Sequence, residues 1–169
     1  MRILGVSGSL REGSFNKSLL RAAAEAAPEG VELELWEGLA ELPLYDENLD
    51  GDDAPEPVRR LREAWDAADA ILFATPEYNG SVPGGLKNAI DWASRPRLDA
   101  VLRNKTVAVA GASTGQFGAL WAQQDLKRSS VSPAPASSAR RSRSAARPSA
   151  STPRDGFSTA SCSSSCGFI

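Results

Sequence analysis

The stretch RILGVSGSLREGSFNKSLLRAAAEAAPEG, residues 2–30, decides the fold. It starts with an apolar run from Ile3 to Val6, which is typical of a buried parallel strand. A loop rich in glycine and serine follows. The chain from Asn16 to Ala27 is then rich in alanine and leucine, until Pro28 and Gly30 end the pattern. A strand, a loop and a helix in this order form the first unit of an α/β protein.

The same unit repeats along the chain. Strands are predicted at Val31 to Trp36, Ala70 to Ala74 and Thr106 to Ala110. Helices are predicted from Pro55 onward and from about Gly84 to Ala93. A further helix is predicted to follow the glycine- and serine-rich loop at residues 111–118 and to end at about Lys127. In the helix that begins near Pro55, one face carries four apolar side chains: Val58, Leu61, Trp65 and Ala68. Short apolar strands that alternate with helices predict a doubly wound parallel sheet in three layers.

The overall composition is that of an ordinary globular protein, with 41% hydrophobic and 24% charged residues in 169. No apolar run approaches the roughly 20 residues that span a bilayer, so we expect no membrane partner. The absence of histidine excludes catalysis by serine–histidine or cysteine–histidine pairs and histidine metal sites. The two cysteines, Cys162 and Cys166, form no disulfide framework and lack further zinc ligands nearby, so we expect a cytoplasmic protein without a metal.

Composition changes after Arg128. Residues 1–128 carry 14 basic and 20 acidic side chains, for a net charge of −6, whereas residues 129–169 carry five arginines and one aspartate. Fourteen of those last 41 residues are serine, and few are large and apolar. Such a segment buries too little surface to offset its ordering entropy, which predicts a folded domain at 1–128 and a disordered tail at 129–169. A basic nucleic-acid segment is the alternative, but arginines without interleaved aromatics support it poorly, and we expect no nucleic-acid partner.

Parallel sheets of this type bind ligands at the carboxyl ends of their strands. The loop at residues 8–16, GSLREGSFN, offers hydroxyls, an arginine and the amino end of the next helix, which together suit a phosphate monoester. The predicted phosphate ligands are Ser9, Arg11, Ser14 and Asn16. The loop matches neither the Walker A nor the dinucleotide-binding pattern. A simpler alternative is that Ser14 or Asn16 only caps the helix.

Two further loops follow the third and fourth strands. In residues 75–92, TPEYNGSVPGGLKNAIDW, the turn at Asn79 and Gly80 could present backbone amides to a planar ring. We interpret Trp92 as core packing, and Lys87 with Asp91 as a surface pair. In residues 111–120, GASTGQFGAL, Ser113 and two glycines permit close approach of the backbone to a ligand.

GSLREGSFN, PLYDENL at residues 43–49 and PEYNGSVPGGLKNAIDW at residues 76–92 resemble the NAD(P)H-dependent FMN reductase family, in particular its bacterial quinone and chromate reductases. The resemblance covers residues 1 to about 128. It implies a flavodoxin-like fold, noncovalently bound FMN, and dimers or tetramers with FMN near a subunit interface. By this resemblance the phosphate would bind at the first loop, and the third loop would close the site. The ring and closing residues would be Pro76, Glu77, Tyr78, Asn79, Gly80, Ser113 and Gly115.

The resemblance further implies transfer of hydride from NAD(P)H to quinones, free flavin or oxidised metals in a ping-pong cycle. Because the flavin supplies the redox chemistry, no catalytic side chain is required. Two alternatives stay open, a flavodoxin-like electron carrier and an inactive truncated product. The carrier is disfavoured by Arg11 in the first loop and by the moderate charge of the folded part.

Members of this family continue with a fifth strand and a fifth helix, and the segment after Arg128 matches neither. One shifted reading frame makes residues 130–138 compatible with V-R-L-A-G-A-R-V-V, an apolar strand. The hypothesis is therefore that the C-terminal segment is a frameshifted sequence, with the fifth strand and helix missing or replaced. Translation of the coding DNA in its other frames tests this hypothesis.

Overall fold

The computed structural model describes residues 1–51, 53–96 and 99–130. Its four strands are β1 (Arg2–Ser7), β2 (Glu32–Trp36), β3 (Ala70–Ala74) and β4 (Thr106–Ala110), and its four α-helices are α1 (Phe15–Glu25), α2 (Glu56–Asp66), α3 (Gly84–Ala93) and α4 (Leu120–Ser130). Two short 3-10 helices, Gly38–Glu41 and Glu47–Leu49, lie between β2 and α2. The strands and helices alternate along the chain as predicted.

The four strands form one parallel sheet in the order β2-β1-β3-β4. The chain therefore moves outward from β1 to β2, and then crosses β1 to add β3 and β4 on the other side. The change of direction lies between β1 and β3, whose residues pair from Ile3 with Ala70 to Ser7 with Ala74. Open parallel sheets bind ligands at this kind of switch in strand order.

The two faces of the sheet are covered by different helices. On β1, Leu4 and Val6 point to a core that contains buried side chains of α2, α3 and α4. Gly5 points the other way, because successive side chains alternate along a strand. A methyl group added to Gly5 would lie 3.2 Å from Leu20 Cδ2 of α1. Helix α1 therefore covers the face opposite α2, α3 and α4, which confirms the predicted three layers.

We call the face covered by α2, α3 and α4 the core face. Its largest fully buried side chains include Trp65, Phe73 and Trp92. Trp65 packs edge-on against Phe73, with ring centroids 5.4 Å apart, and against Trp36 at 6.0 Å. The predicted apolar side of α2 is confirmed, since Val58, Leu61 and Trp65 are all completely buried.

The predicted bounds of β3, α3 and β4 are confirmed, and those of the other elements differ by one to three residues at an end. Helix α4 continues to Ser130, past the predicted end near Lys127 and past the predicted domain boundary at Arg128. The Ser130 hydroxyl donates to the Leu126 carbonyl at 2.7 Å, and basic side chains in the last turn favour the helix end. Helix α1 ends at Glu25, not Ala27. The rest of the predicted tail, with its hypothetical frame shift and both cysteines, lies outside the described residues.

Strand β4 pairs only with β3 among the described residues. Val107 and Val109 pack against the core, whereas Thr106 and Ala108 on the other side of the strand are exposed. No helix in the described ranges is long and apolar enough to cross a membrane.

Candidate functional site

Three loops meet at the carboxyl edge of the sheet. Loop 1 (residues 8–14) joins β1 to α1, loop 2 (75–83) joins β3 to α3, and loop 3 (111–119) joins β4 to α4. Because the three strands are neighbours in the sheet, the loops lie side by side at the switch in strand order. We call these loops together the rim.

Loop 1 ends in a helix cap. Ser14 is the N-cap of α1, and its hydroxyl accepts the N–H groups of Asn16 and Lys17 at 3.2 and 3.4 Å. Ser14 therefore does cap α1, which is one part of the alternative considered for it. The hydroxyl hydrogen of Ser14 can still be donated to a ligand. Ser9 is also buried, and its oxygen accepts the Arg11 N–H at 3.4 Å.

Arg11 has little to neutralise its charge. Its Nη2 donates to the Gly13 carbonyl at 3.1 Å, and its guanidinium lies 5.4 Å from the centre of the Phe15 ring. No carboxylate pairs with it in the described part of the chain. The guanidinium is thus a cation at the amino end of a helix, where backbone N–H groups add further positive potential.

Loop 2 contains a tight two-residue turn. Tyr78 and Ser81 exchange two backbone hydrogen bonds of 3.1 Å, and the turn between them has positive φ at Asn79 (50°) and Gly80 (71°). This conformation explains why asparagine and glycine occupy these two positions. The turn directs Tyr78 toward loop 1, where its hydroxyl lies 3.4 Å from the Ser9 hydroxyl.

Loop 3 is held by one side chain from the start of α1 and one from loop 2. Both polar atoms of the Asn16 carboxamide bond to the backbone of Ala112. The Glu77 carboxylate bonds to the first turn of α4. Within loop 3, the Ser113 hydroxyl accepts the Gly115 N–H at 3.1 Å. Asn16 and Glu77 therefore connect loops in this structure, a role that local sequence patterns do not predict.

The rim encloses a cavity of about 230 Å³. Eight of the eleven predicted site residues line it: Ser9, Arg11, Ser14, Asn16, Pro76, Glu77, Tyr78 and Ser113. Asn79, Gly80 and Gly115 are not among its lining residues. Asn79 and Gly80 are exposed at the tip of the turn between Tyr78 and Ser81. Their predicted contact with a flavin stays a prediction.

Three lining residues were not predicted: Phe15, Ala112 and Thr114. The same three also line a neighbouring groove of about 390 Å³, together with Leu19 and Ser113. Phe15 is 53% exposed, which is unusual for a phenylalanine at the start of a helix that packs on a sheet. The position of Phe15 within the predicted phosphate-binding loop, GSLREGSFN, was the sequence signal that could have identified it.

Two interpretations of residues near the site are confirmed. Trp92 is fully buried, and its indole N–H donates to the Pro43 carbonyl at 2.8 Å, which makes it a core residue. Lys87 and Asp91 form an exposed pair on α3, with Nζ 2.6 Å from Oδ1. No group of three histidine, cysteine or acidic side chains in the described ranges could hold a metal ion.

The residues of the cavity fit FMN. The hydroxyls of Ser9 and Ser14, the guanidinium of Arg11 and the amino end of α1 suit a phosphate dianion. Pro76 and the half-exposed ring of Tyr78 provide the apolar surface that a planar ring system requires. The arginine and the two serine hydroxyls lie in loop 1, and the proline and tyrosine surface lies in loop 2, so the polar and apolar parts of the cavity are separate.

Comparison with known proteins agrees with this geometry. The model of a protein family described as NADPH-dependent FMN reductase matches residues 1–134.

The chain belongs to this FMN reductase family.

An NAD(P)H-dependent FMN reductase of Pseudomonas aeruginosa is 47% identical over 131 residues, which cover 78% of this chain and 70% of the relative. A quinone reductase of Escherichia coli K12 is 40% identical over 129 residues, covering 76% of this chain and 68% of that protein. Among solved structures, the flavoenzyme NAD(P)H:(acceptor) oxidoreductase FerB of Paracoccus denitrificans superposes with a TM-score of 0.71 at 41% identity. The match covers 76% of this chain and 70% of FerB. The flavodoxin-like fold expected from the sequence is therefore confirmed.

Proposed function

We propose that this chain is an FMN-dependent oxidoreductase that takes hydride from NAD(P)H and reduces quinones or related small acceptors. The observation that carries the proposal is the rim cavity. In it an arginine that has no carboxylate partner among the described residues, together with two buried serines, faces a tyrosine and a proline. The similarity to FMN reductases and quinone reductases supports the same activity.

In this proposal the side chains bind and orient FMN, and none of them takes part in the redox reaction. Arg11, Ser9 and Ser14 hold the phosphate, and Pro76 with Tyr78 bounds the ring. FMN bound there would supply the redox chemistry, which is hydride transfer from a nicotinamide and electron transfer to a quinone. Because Tyr78 is 50% exposed, the ring edge of the site is open to solvent, where nicotinamide and acceptor can use the same position in turn.

The proposal is tested by the flavin spectrum of the full chain. The protein is mixed with FMN, freed of excess flavin by gel filtration and examined under nitrogen. We expect retained visible absorbance, fast bleaching when NADPH is added, and return of the oxidised spectrum when a benzoquinone follows. Loss of all flavin on the column would contradict the proposal. Retained flavin that NADPH bleaches only slowly would favour an electron carrier.

We also propose that the chain forms a homodimer or homotetramer and functions in the cytoplasm. Large apolar side chains at the surface support the assembly, among them Leu44 (83% exposed), Phe117 (54%) and Trp121 (46%). Sedimentation equilibrium of the full chain should give two or four chain masses, and a single chain mass at all concentrations would contradict the assembly.

A further inference from the structure

The side chain of Asn16 is committed to loop 3. Asn16 is 2% exposed; its Oδ1 accepts the Ala112 N–H at 2.9 Å, and its Nδ2 donates to the Ala112 carbonyl at 3.0 Å. The carboxamide thus satisfies both backbone polar atoms of one residue 96 positions away. Aspartate lacks the donor and serine lacks the second atom, so an amide side chain is required for both bonds.

Glu77 makes the second connection, from loop 2. Its Oε2 accepts the N–H groups of Trp121 at 3.0 Å and Ala122 at 3.2 Å. These amides belong to the first turn of α4, whose preceding residue is Ala119, with φ of 62° and no polar side chain. Glu77 therefore provides the acceptor that a serine or aspartate cap normally provides, and its negative charge faces the positive end of the helix.

Loop 3 depends on these two connections because of its own composition. Its sequence GASTGQFGA contains three glycines, and Gly118 joins Ala119 in a positive-φ conformation. Such a segment loses much conformational entropy when it is ordered. Ser113 and Thr114, which line the cavity, lie between Ala112, held by Asn16, and the start of α4, held by Glu77. Asn16 and Glu77, which both lie outside loop 3, therefore restrain the loop near its two ends.

We propose that Asn16 and Glu77 are positioning residues, which fix loop 3 across the cavity and raise the affinity for FMN through that loop. Direct bonds between these two side chains and the flavin are not required. This inference depends on the proposed function for its effect on FMN, but the restraint on loop 3 exists in the protein without flavin.

The test uses the full-length variants Asn16→Ala and Glu77→Ala, with two measurements. Hydrogen exchange of residues 111–122 without FMN reports the order of loop 3. Titration of FMN fluorescence reports the affinity. We expect at least tenfold faster exchange in this segment, and about tenfold weaker FMN binding, for the loss of one or two hydrogen bonds.

The matched control is Asn88→Ala. Asn88 makes the same pair of bonds with another loop, accepting the Tyr45 N–H and donating to the Pro43 carbonyl, both at 2.8 Å. We expect this variant to melt at a lower temperature, with exchange of loop 3 and FMN affinity unchanged. The conservative variant Glu77→Gln keeps an oxygen acceptor for the two amides, and should retain most of the protection and affinity.

The outcomes separate the inference from the proposed function. If the unmodified chain binds no FMN, the function fails, and the exchange data still decide whether the two side chains restrain loop 3. If the unmodified chain binds FMN, normal exchange in both alanine variants overturns the inference. Weaker FMN binding with normal exchange also overturns it, because it indicates direct contact with the flavin. Should Asn16→Ala not fold, Glu77, which lies partly at the surface, decides the question.

Discussion

The core face and the rim are stabilised in opposite ways. On the core face, Trp65, Phe73 and Trp92 pack with almost no solvent contact, and the Trp65 indole N–H lacks a hydrogen-bond partner among the described residues. At the rim, buried polar side chains such as Asn16 lie beside exposed ones such as Tyr78, and order comes from hydrogen bonds that join separate parts of the chain. On the core face, removing side-chain volume should destabilise the fold more than leaving one donor unpaired. At the rim, removing one partner of a hydrogen bond should disturb the loops more than exposing a side chain to solvent.

This difference predicts that changes to the core face alter stability, while changes to the rim alter binding. The largest effect is expected for Trp65→Ala, because the ring contacts both Trp36 and Phe73 and is completely buried. The variant should lose about 3–5 kcal/mol of unfolding free energy, measured by urea denaturation. The folded fraction should keep its FMN affinity. Trp65→Phe, which also removes the unpaired donor, should lose less than half as much, and equal losses would contradict this account of the core.

The second effect concerns the rim. Arg11→Ala should weaken FMN binding about 10- to 100-fold, the value of a charge-assisted hydrogen bond of roughly 1.5–3 kcal/mol. Stability without FMN should change little, because the side chain is exposed and its contacts among the described residues are one bond to the Gly13 carbonyl and the half-exposed Phe15 ring. Arg21→Ala, on an exposed position of α1, is the matched control and should leave FMN titrations unchanged. Unaltered affinity in Arg11→Ala would remove the proposed phosphate site.

A third change tests a rim side chain that contributes to both stability and binding. Ser14 both caps α1 and lines the cavity. Ser14→Ala should therefore cost about 1 kcal/mol of unfolding free energy and weaken FMN binding several-fold. Ser14→Gly should recover most of the stability, since glycine is tolerated at the cap, but not the affinity. Recovery of both properties in the glycine variant would show that the hydroxyl has no role in binding.

The smallest effect is expected at the surface of α3. Lys87→Ala breaks an exposed pair with Asp91 and should cost at most about 0.5 kcal/mol, measured by thermal denaturation. FMN affinity should be unchanged. Weaker FMN binding in this variant would mean that Lys87 contributes to the site, contrary to the interpretation that it only pairs with Asp91 at the surface.

The sequence predicts the fold of the described residues well because the apolar pattern is local. The bounds of β3, α3 and β4 coincide with the predicted ones, since an apolar run bounded by turn residues specifies each strand. Helix ends are less well predicted. Helix α4 continues to Ser130, through a serine pair that composition assigns to the polar segment after the helix.

The loops predicted to form the site lie side by side around the cavity, and two of the predicted ligands, Asn16 and Glu77, make bonds between parts of the chain. Strand ends and glycine-rich turns indicate where a ligand binds, so most of the predicted residues line the cavity. The bonds from Asn16 to Ala112 and from Glu77 to α4 join residues 96 and 44 or more positions apart. Contacts at such separations leave no local pattern, so their roles could not be read from neighbouring residues.

The distribution of tryptophan also makes the molecule its own optical sensor. Trp65 and Trp92 are shielded from water, and Trp36 packs against Trp65. Trp121 is 46% exposed, next to Phe117, and its backbone N–H is bound by Glu77 of loop 2 at the rim. Blue-shifted tryptophan emission therefore reports on the core face. Red-shifted emission that an added quencher can reach reports on Trp121 near the rim. One excitation experiment can follow melting of each region separately without any added dye.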